Sequence, residues 1–107
     1  MDERSARLAA NEAVFRAGNE SLERVQRGAE QAEFLCECGD PQCFQRVELS
    51  HEEYEAVRSH PARFFVAPGH EDLTAGEVVV EERDQWRVVE KRGEEREIVV
   101  RSDPRAS

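Results

Sequence analysis

In the first third of the chain, apolar positions recur at helical spacing. Leu8, Phe15, Leu22 and Ala29 stand seven residues apart, Val14 and Val25 lie beside them, and no proline falls between Ser5 and Ala32. This period predicts an amphipathic helix over residues 5–32 that lays the Leu8–Ala29 stripe against an apolar surface. Gly18 inside it costs about 1 kcal/mol relative to alanine, and Asn11 and Asn19 weaken it further, so packing has to hold it. The stripe has two readings: packing on its own domain, or a seam for a partner helix or second copy, since a heptad period also specifies a coiled coil. Asn11 and Gly18 fit such a seam poorly.

The period then shortens. "RVEL" (Arg46–Leu49) alternates polar and apolar as a short strand does. Ser50, with Glu53 three residues on, forms a capping box that starts a helix over residues 51–59, with Tyr54 and Val57 on one face. Pro61 ends it. From 63 to 101 the pattern is β-rich. "RFFV" (Arg63–Val66) reads as a buried strand running into the Pro68-Gly69 turn. Val78–Val80, Trp86–Val89 and Ile98–Val100 read as three runs of an antiparallel meander. Residues 102–107 read as a frayed tail. These elements predict an α+β fold with a long N-terminal helix, a Cys-rich knuckle over 34–49, a short second helix and a small antiparallel sheet. At 107 residues the expectation is a single domain, 1–107.

Composition narrows the function. Hydrophobic residues are 38% and charged residues 36%, which predicts a thin core under a heavily ionised surface. A net charge of −9 argues against binding nucleic acid, which needs clustered Lys and Arg. No segment approaches the roughly 18 apolar residues of a membrane span, and "MDERSARLAANE" lacks a signal peptide's apolar centre. The expectation is a cytoplasmic chain with no membrane contact, in which thiols stay reduced and serve metal or redox chemistry rather than disulfides.

All three cysteines fall in "FLCECGDPQC" as Cys36-x-Cys38-x4-Cys43. On an extended strand Cys36 and Cys38 point to the same side, and Gly39 with Asp40-Pro41 lets the chain turn back to bring Cys43 to them. Clustered thiolates repel unless a cation neutralises them, so the pattern points to a metal knuckle, with zinc as the cofactor and a fourth ligand from a histidine. His70, aimed by the Pro68-Gly69 turn, is the first choice and His51 the alternative. His60, before Pro61, reads as a loop residue. Without metal the thiols are expected to be protonated and inert beside Glu33, Glu37 and Asp40. Three small core residues that merely cluster are the plain alternative.

Three thiolates quench a zinc ion's Lewis acidity, and no phosphate loop, nucleotide fingerprint or nucleophile elbow appears, so the reading leans away from an enzyme. Adjacent carboxylates such as Glu52-Glu53, Glu81-Glu82 and Glu94-Glu95 read as solvated faces. Tyr54 and Trp86 serve either as core or as partner-binding anchors.

The segments "NEAVFRAGNE", "FLCECGDPQC", "ELSHEEYEAVRSHPARFFVAPGHE" and "WRVVEKRGE" together resemble a group of small uncharacterised actinobacterial proteins, over about residues 11–93. The resemblance implies a bacterial module that carries the cysteine segment and the Pro-Gly-His-Glu motif, without implying an activity. The expected function is a structural Cys3His zinc site in a protein-interaction or regulatory module. Such a module would meet an unknown protein partner through its N-terminal helix or its sheet, as monomer or homodimer. The rivals are a thiol-based redox or metal sensor and a zinc hydrolase with Glu71 as base.

Overall fold

The computed structural model describes residues 1–106 and has the α+β architecture. Helix α1 runs Glu3–Gln26, capped by Asp2, whose carboxylate accepts from the Ser5 N–H at 2.7 Å. It stops well short of residue 32. Gly28 takes a positive φ of 101°, and Ala32–Leu35 is already strand β1, paired antiparallel with β2, Arg46–Leu49. Helix α2, His51–Arg58, begins at the Ser50/Glu53 capping box, in which both reciprocal hydrogen bonds form. Strands β3 (Arg63–Val66), β4 (Glu77–Glu82) and β5 (Arg87–Lys91) make a second antiparallel sheet in the order β3-β5-β4.

The third β-rich run is not a strand. Ile98–Val100 lies in helix α3, Gly93–Arg101, whose first turn carries Glu94 and Glu95 and whose last carries Arg101, each charge opposing its end of the helix dipole. Only Val99 is fully buried there, so a nine-residue helix needs one inward position from the β-branched run. The tail is not frayed either. Arg105 binds Glu20 of α1 (2.6 Å) and Glu55 of α2 (2.7 Å), which fastens the chain end across two helices. Ser107 lies outside the described residues.

The largest departure concerns α1. Leu8, Phe15 and Leu22 are only half-buried, Ala29 lies past the helix and is exposed, and Val14 and Val25 are 67% and 80% exposed. The buried face is instead Ser5, Ala9, Glu12, Ala13, Arg16, Asn19, Glu20 and Glu23. Those polar groups find partners remote in sequence. Lys91 lies between Glu12 (2.8 Å) and Glu77 (2.9 Å) and donates to the Ala75 carbonyl, while Arg16 donates to the carbonyls of Pro61 and Val99. Asn19 bonds both the N–H and C=O of Leu35, taking the place of a third strand beside β1. Pairing offsets much of the cost of burying this many polar groups, although both Glu12 oxygens and Arg16 Nε lack a well-aligned hydrogen bond.

The apolar core lies beneath. Phe34, Tyr54 and Phe65 pack as one aromatic cluster, Phe34 stacked on Tyr54 at 4.5 Å between ring centres and Phe65 edge-on to both. Phe64 points to the other side of β3 beneath Arg16, so this strand is buried on both faces. Tyr54 and Trp86 belong to this core rather than to an exposed anchor.

Candidate metal centre

The site grows from the end of β1. Cys36 extends the β1–β2 ladder through its N–H to the Gln45 carbonyl, and Glu37 crosses to the other sheet, its N–H bonded to the Phe65 carbonyl at 3.0 Å. Alternation along this extended stretch sends Cys36 and Cys38 to one side and Glu37 to the other. Glu37 is fully buried. It accepts from Arg58 twice at 2.7 Å, from Asn19 at 2.8 Å and from the Phe65 N–H at 3.2 Å, so an ionic lock fixes the backbone between the two cysteines. Burial pulls the Arg58 guanidinium down, but Glu37 outweighs it and the net shift is upward.

Gly39 turns the chain at φ 82°, and the Asp40 side chain accepts the Gln42 N–H while its carbonyl accepts that of Cys43. This brings Cys43 back. The turn presses on α1: a Cβ at Gly39 would meet the Leu8 side chain at 2.8 Å and the Leu8 carbonyl at 2.9 Å, and Asn11 donates to the Gly39 carbonyl. Past β3, Gly69 at φ 86° lets the Ala67 carbonyl accept the His70 N–H, which aims the imidazole back at the knuckle. Asp72 then pairs with Arg4 of α1.

The donor atoms of Cys36, Cys38, Cys43 and His70 all lie within 4.8 Å of one another, and this group can hold a metal ion. His70 Nδ1 lies 3.6 Å from Cys36 Sγ and 3.5 Å from Cys43 Sγ, while the Ala67 N–H points at Cys36 Sγ from 3.2 Å. Cys36 and Cys38 are buried; Cys43 and His70 are half-buried. No protein-family model, no curated protein and no solved structure matches the chain. The chemistry of the site must be read from its own donors.

The three thiols stand in different surroundings. Cys38 accepts from the Cys36 thiol and from the Asp40 N–H, which holds it down at about 5 against burial. Donation to Cys38, together with burial, pushes Cys36 up, and burial pushes Cys43 up. Cys38 is thus the thiol whose charged form its neighbours favour. The carboxylate expected to oppose this, Glu37, faces away into its lock with Arg58.

His51, the alternative fourth donor, is elsewhere: its Nδ1 is 3.0 Å from Glu23 Oε1, in a second group with Glu23 and Glu55. There both carboxylates are engaged by guanidinium groups, Arg27 on Glu23 and Arg105 on Glu55, and both are held below the usual carboxylate range by those contacts. His60 is exposed at the end of α2. Glu71 accepts the Gly69 N–H at 2.9 Å, tying it to its own turn. Sequence reasoning missed Glu37, Asn19 and Arg58 as the parts that hold the knuckle. The polar residue between two cysteines on a strand was the available signal, since period two turns it inward. Among the described residues no helix is long and apolar enough to cross a membrane.

Proposed function

We propose that this is a small zinc-binding protein in which Cys36, Cys38, Cys43 and His70 hold the ion in a structural site, and that it serves as a protein-interaction or regulatory module. One observation carries the reading. With Zn–S near 2.3 Å and Zn–N at 2.0–2.1 Å, a tetrahedral zinc ion needs its sulfur and nitrogen donors about 3.5–3.6 Å apart. The two S···N separations from His70 Nδ1, to Cys43 and to Cys36, are 3.5 and 3.6 Å. Three thiolates with one imidazole suit zinc, and four donors from the chain leave no position for a catalytic water. Glu71, occupied by its own turn, makes a poor base for the hydrolase alternative. Joined at one point, the four donors tie the β1 end, the knuckle and the post-β3 loop together under α1, so metal affinity adds to folding stability.

The test is metal analysis of protein purified without added metal. One zinc per chain is expected, lost together with stability in Cys38→Ser, weakened in His70→Ala and unchanged in His51→Ala. Metal-free wild type that is fully folded would sink the proposal, and loss in His51→Ala alone would reassign the ligand.

The thiol-sensor reading keeps a place because two surface grooves of about 510 and 530 Å³ end at the site, one at Cys38 and His70 and the other at Cys43 and His70. A peroxide entering there would oxidise two zinc-bound thiolates to a disulfide, itself reduced to two waters with two protons taken from solvent, and free the ion. A chromogenic chelator would then register zinc before unfolding; release that only follows unfolding refutes the sensor.

A further inference from the structure

Along its middle four turns, helix α1 is charged on its inside and uncharged on its outside. Between Leu8 and Glu23 the charged residues are Glu12, Arg16, Glu20 and Glu23, and all four are buried. The exposed residues of the same stretch are Ala10, Val14, Ala17 and Ser21. Over a third of this chain is charged, and a solvent-facing helix ordinarily carries its charge outward, so four turns of small, neutral surface are the reverse of what water selects.

The outward residues continue on a seven-residue period, Glu3, Ala10, Ala17 and Arg24 with Val14 and Ser21 between them, and half-buried Ala6 and exposed Arg7 flank the step from Glu3 to Ala10. This is a heptad seam on a different face from Leu8, Phe15 and Leu22, and small side chains along it let a second helix approach to about 8 Å. Charge occurs only toward its ends, negative at Glu3 and positive at Arg7 and Arg24. Each is held only by an exposed neighbour within α1: Glu3 pairs with Arg7 at 3.4 Å, and Arg24 donates to the Ser21 hydroxyl.

We propose that this face is a two-fold homodimer seam in which α1 packs antiparallel on α1 of a second copy. In an antiparallel pair with Ala10 opposite Ala17 of the second copy, Ala6 falls opposite Ser21, Val14 meets its counterpart beside the dyad, and Glu3 falls opposite Arg24, twice by symmetry. A parallel pair would set Glu3 against Glu3 and Arg24 against Arg24, with the helix dipoles aligned. The charge pattern selects a second copy in one orientation. A strip about 36 Å long and about 10 Å wide on each copy gives an interface below that of stable complexes, so the dimer exchanges, with dissociation in the micromolar range. The knuckle meets α1 at Leu8 and Asn11, on another face of the helix than Ala10, Val14 and Ala17.

Sedimentation equilibrium of the zinc-loaded chain, from about 10 to 500 μM to bracket that range, tests the proposal. Reversible dimerisation is expected. Ala17→Glu, at an exposed position, abolishes it while circular dichroism and zinc content stay at wild-type values. Glu3→Arg weakens it about tenfold and Glu3→Arg with Arg24→Glu restores it. A wild type that stays monomeric throughout overturns the proposal, as does a dimer indifferent to Ala17→Glu. A dimer in which the double charge exchange fails to restore affinity overturns the antiparallel register.

Discussion

Replacing Glu37 with glutamine tests the ionic lock that holds the knuckle. Glutamine keeps the shape of the side chain and removes its charge, leaving Arg58, whose side chain is 2% exposed, inside the protein without a counter-charge. Two of the four hydrogen bonds to Glu37 come from Arg58, and the others come from Asn19 and the Phe65 N–H. Breaking one side of a buried pair costs about 3–5 kcal/mol, because the abandoned charge stays desolvated. In a chain of this size that lowers Tm by roughly 12–25 °C. The aromatic rings around Arg58, with Tyr54 and Phe65 centred 5.2 and 5.3 Å from it, supply some compensation but no counter-ion. Urea unfolding in zinc-saturated buffer measures the loss as a shift in midpoint at constant m. Glu37→Gln with Arg58→Met recovers to within about 2 kcal/mol of wild type, since neither charge is then buried. If Glu37→Gln alone costs less than about 1 kcal/mol, the pair behaves as a solvent-screened surface bridge and the reasoning is refuted.

Three further outcomes follow from particular contacts. Gly39→Ala, at φ 82° and with its Cβ driven to 2.8 Å from Leu8, loses about 1–3 kcal/mol and lifts the knuckle from α1, read as weaker zinc retention against a chelator. Burial pushes the Glu12 carboxyl up to about 9 despite Lys91, so between about 4.5 and 9 the folded chain holds one proton more than the unfolded chain. Stability therefore falls as pH rises through that window, and Glu12→Gln flattens the slope in urea midpoints taken across it. Burial raises Glu20, but Arg105 and the Tyr54 hydroxyl outweigh it, and Arg105 also holds Glu55 low. Their contribution is present above the unfolded carboxyl value and lost as pH falls through the lowered one. Arg105→Ala, at a partly exposed site, accordingly costs about 1 kcal/mol at neutral pH, and the gap to wild type closes in acid and shrinks in high salt.

Where a local rule acted alone, the sequence was enough. The Ser50–Glu53 capping box, the alternation of "RVEL" and the Pro68-Gly69 turn each depend on neighbours within a few residues, and each appears where its residues stand. The three cysteines with His70 were legible for a related reason: two turns, at Gly39 and Gly69, have few conformations to choose among. The buried face of α1 was not legible. Apolar Leu8, Phe15 and Leu22 and polar Glu12, Arg16, Asn19 and Glu23 both recur at helical spacing. What decides between them is the set of partners that folding brings from Leu35, Lys91 and Val99. The lone lysine of a chain otherwise supplied with arginine was the one hint that a compact buried cation was needed. Helix α3 was misread because Ile98-Val99-Val100 has strand propensity in isolation, whereas Gly93 at φ 67° and the acidic first turn start a helix before that propensity can act.

Zinc K-edge X-ray absorption of protein purified without added metal tests the central claim most directly, because it counts the donors. Three sulfurs at about 2.3 Å and one nitrogen at about 2.0–2.1 Å are the predicted shell, with the nitrogen signal lost in His70→Ala. A shell with fewer than three sulfurs, or one whose nitrogen signal survives in His70→Ala, would contradict the Cys36, Cys38, Cys43 and His70 site.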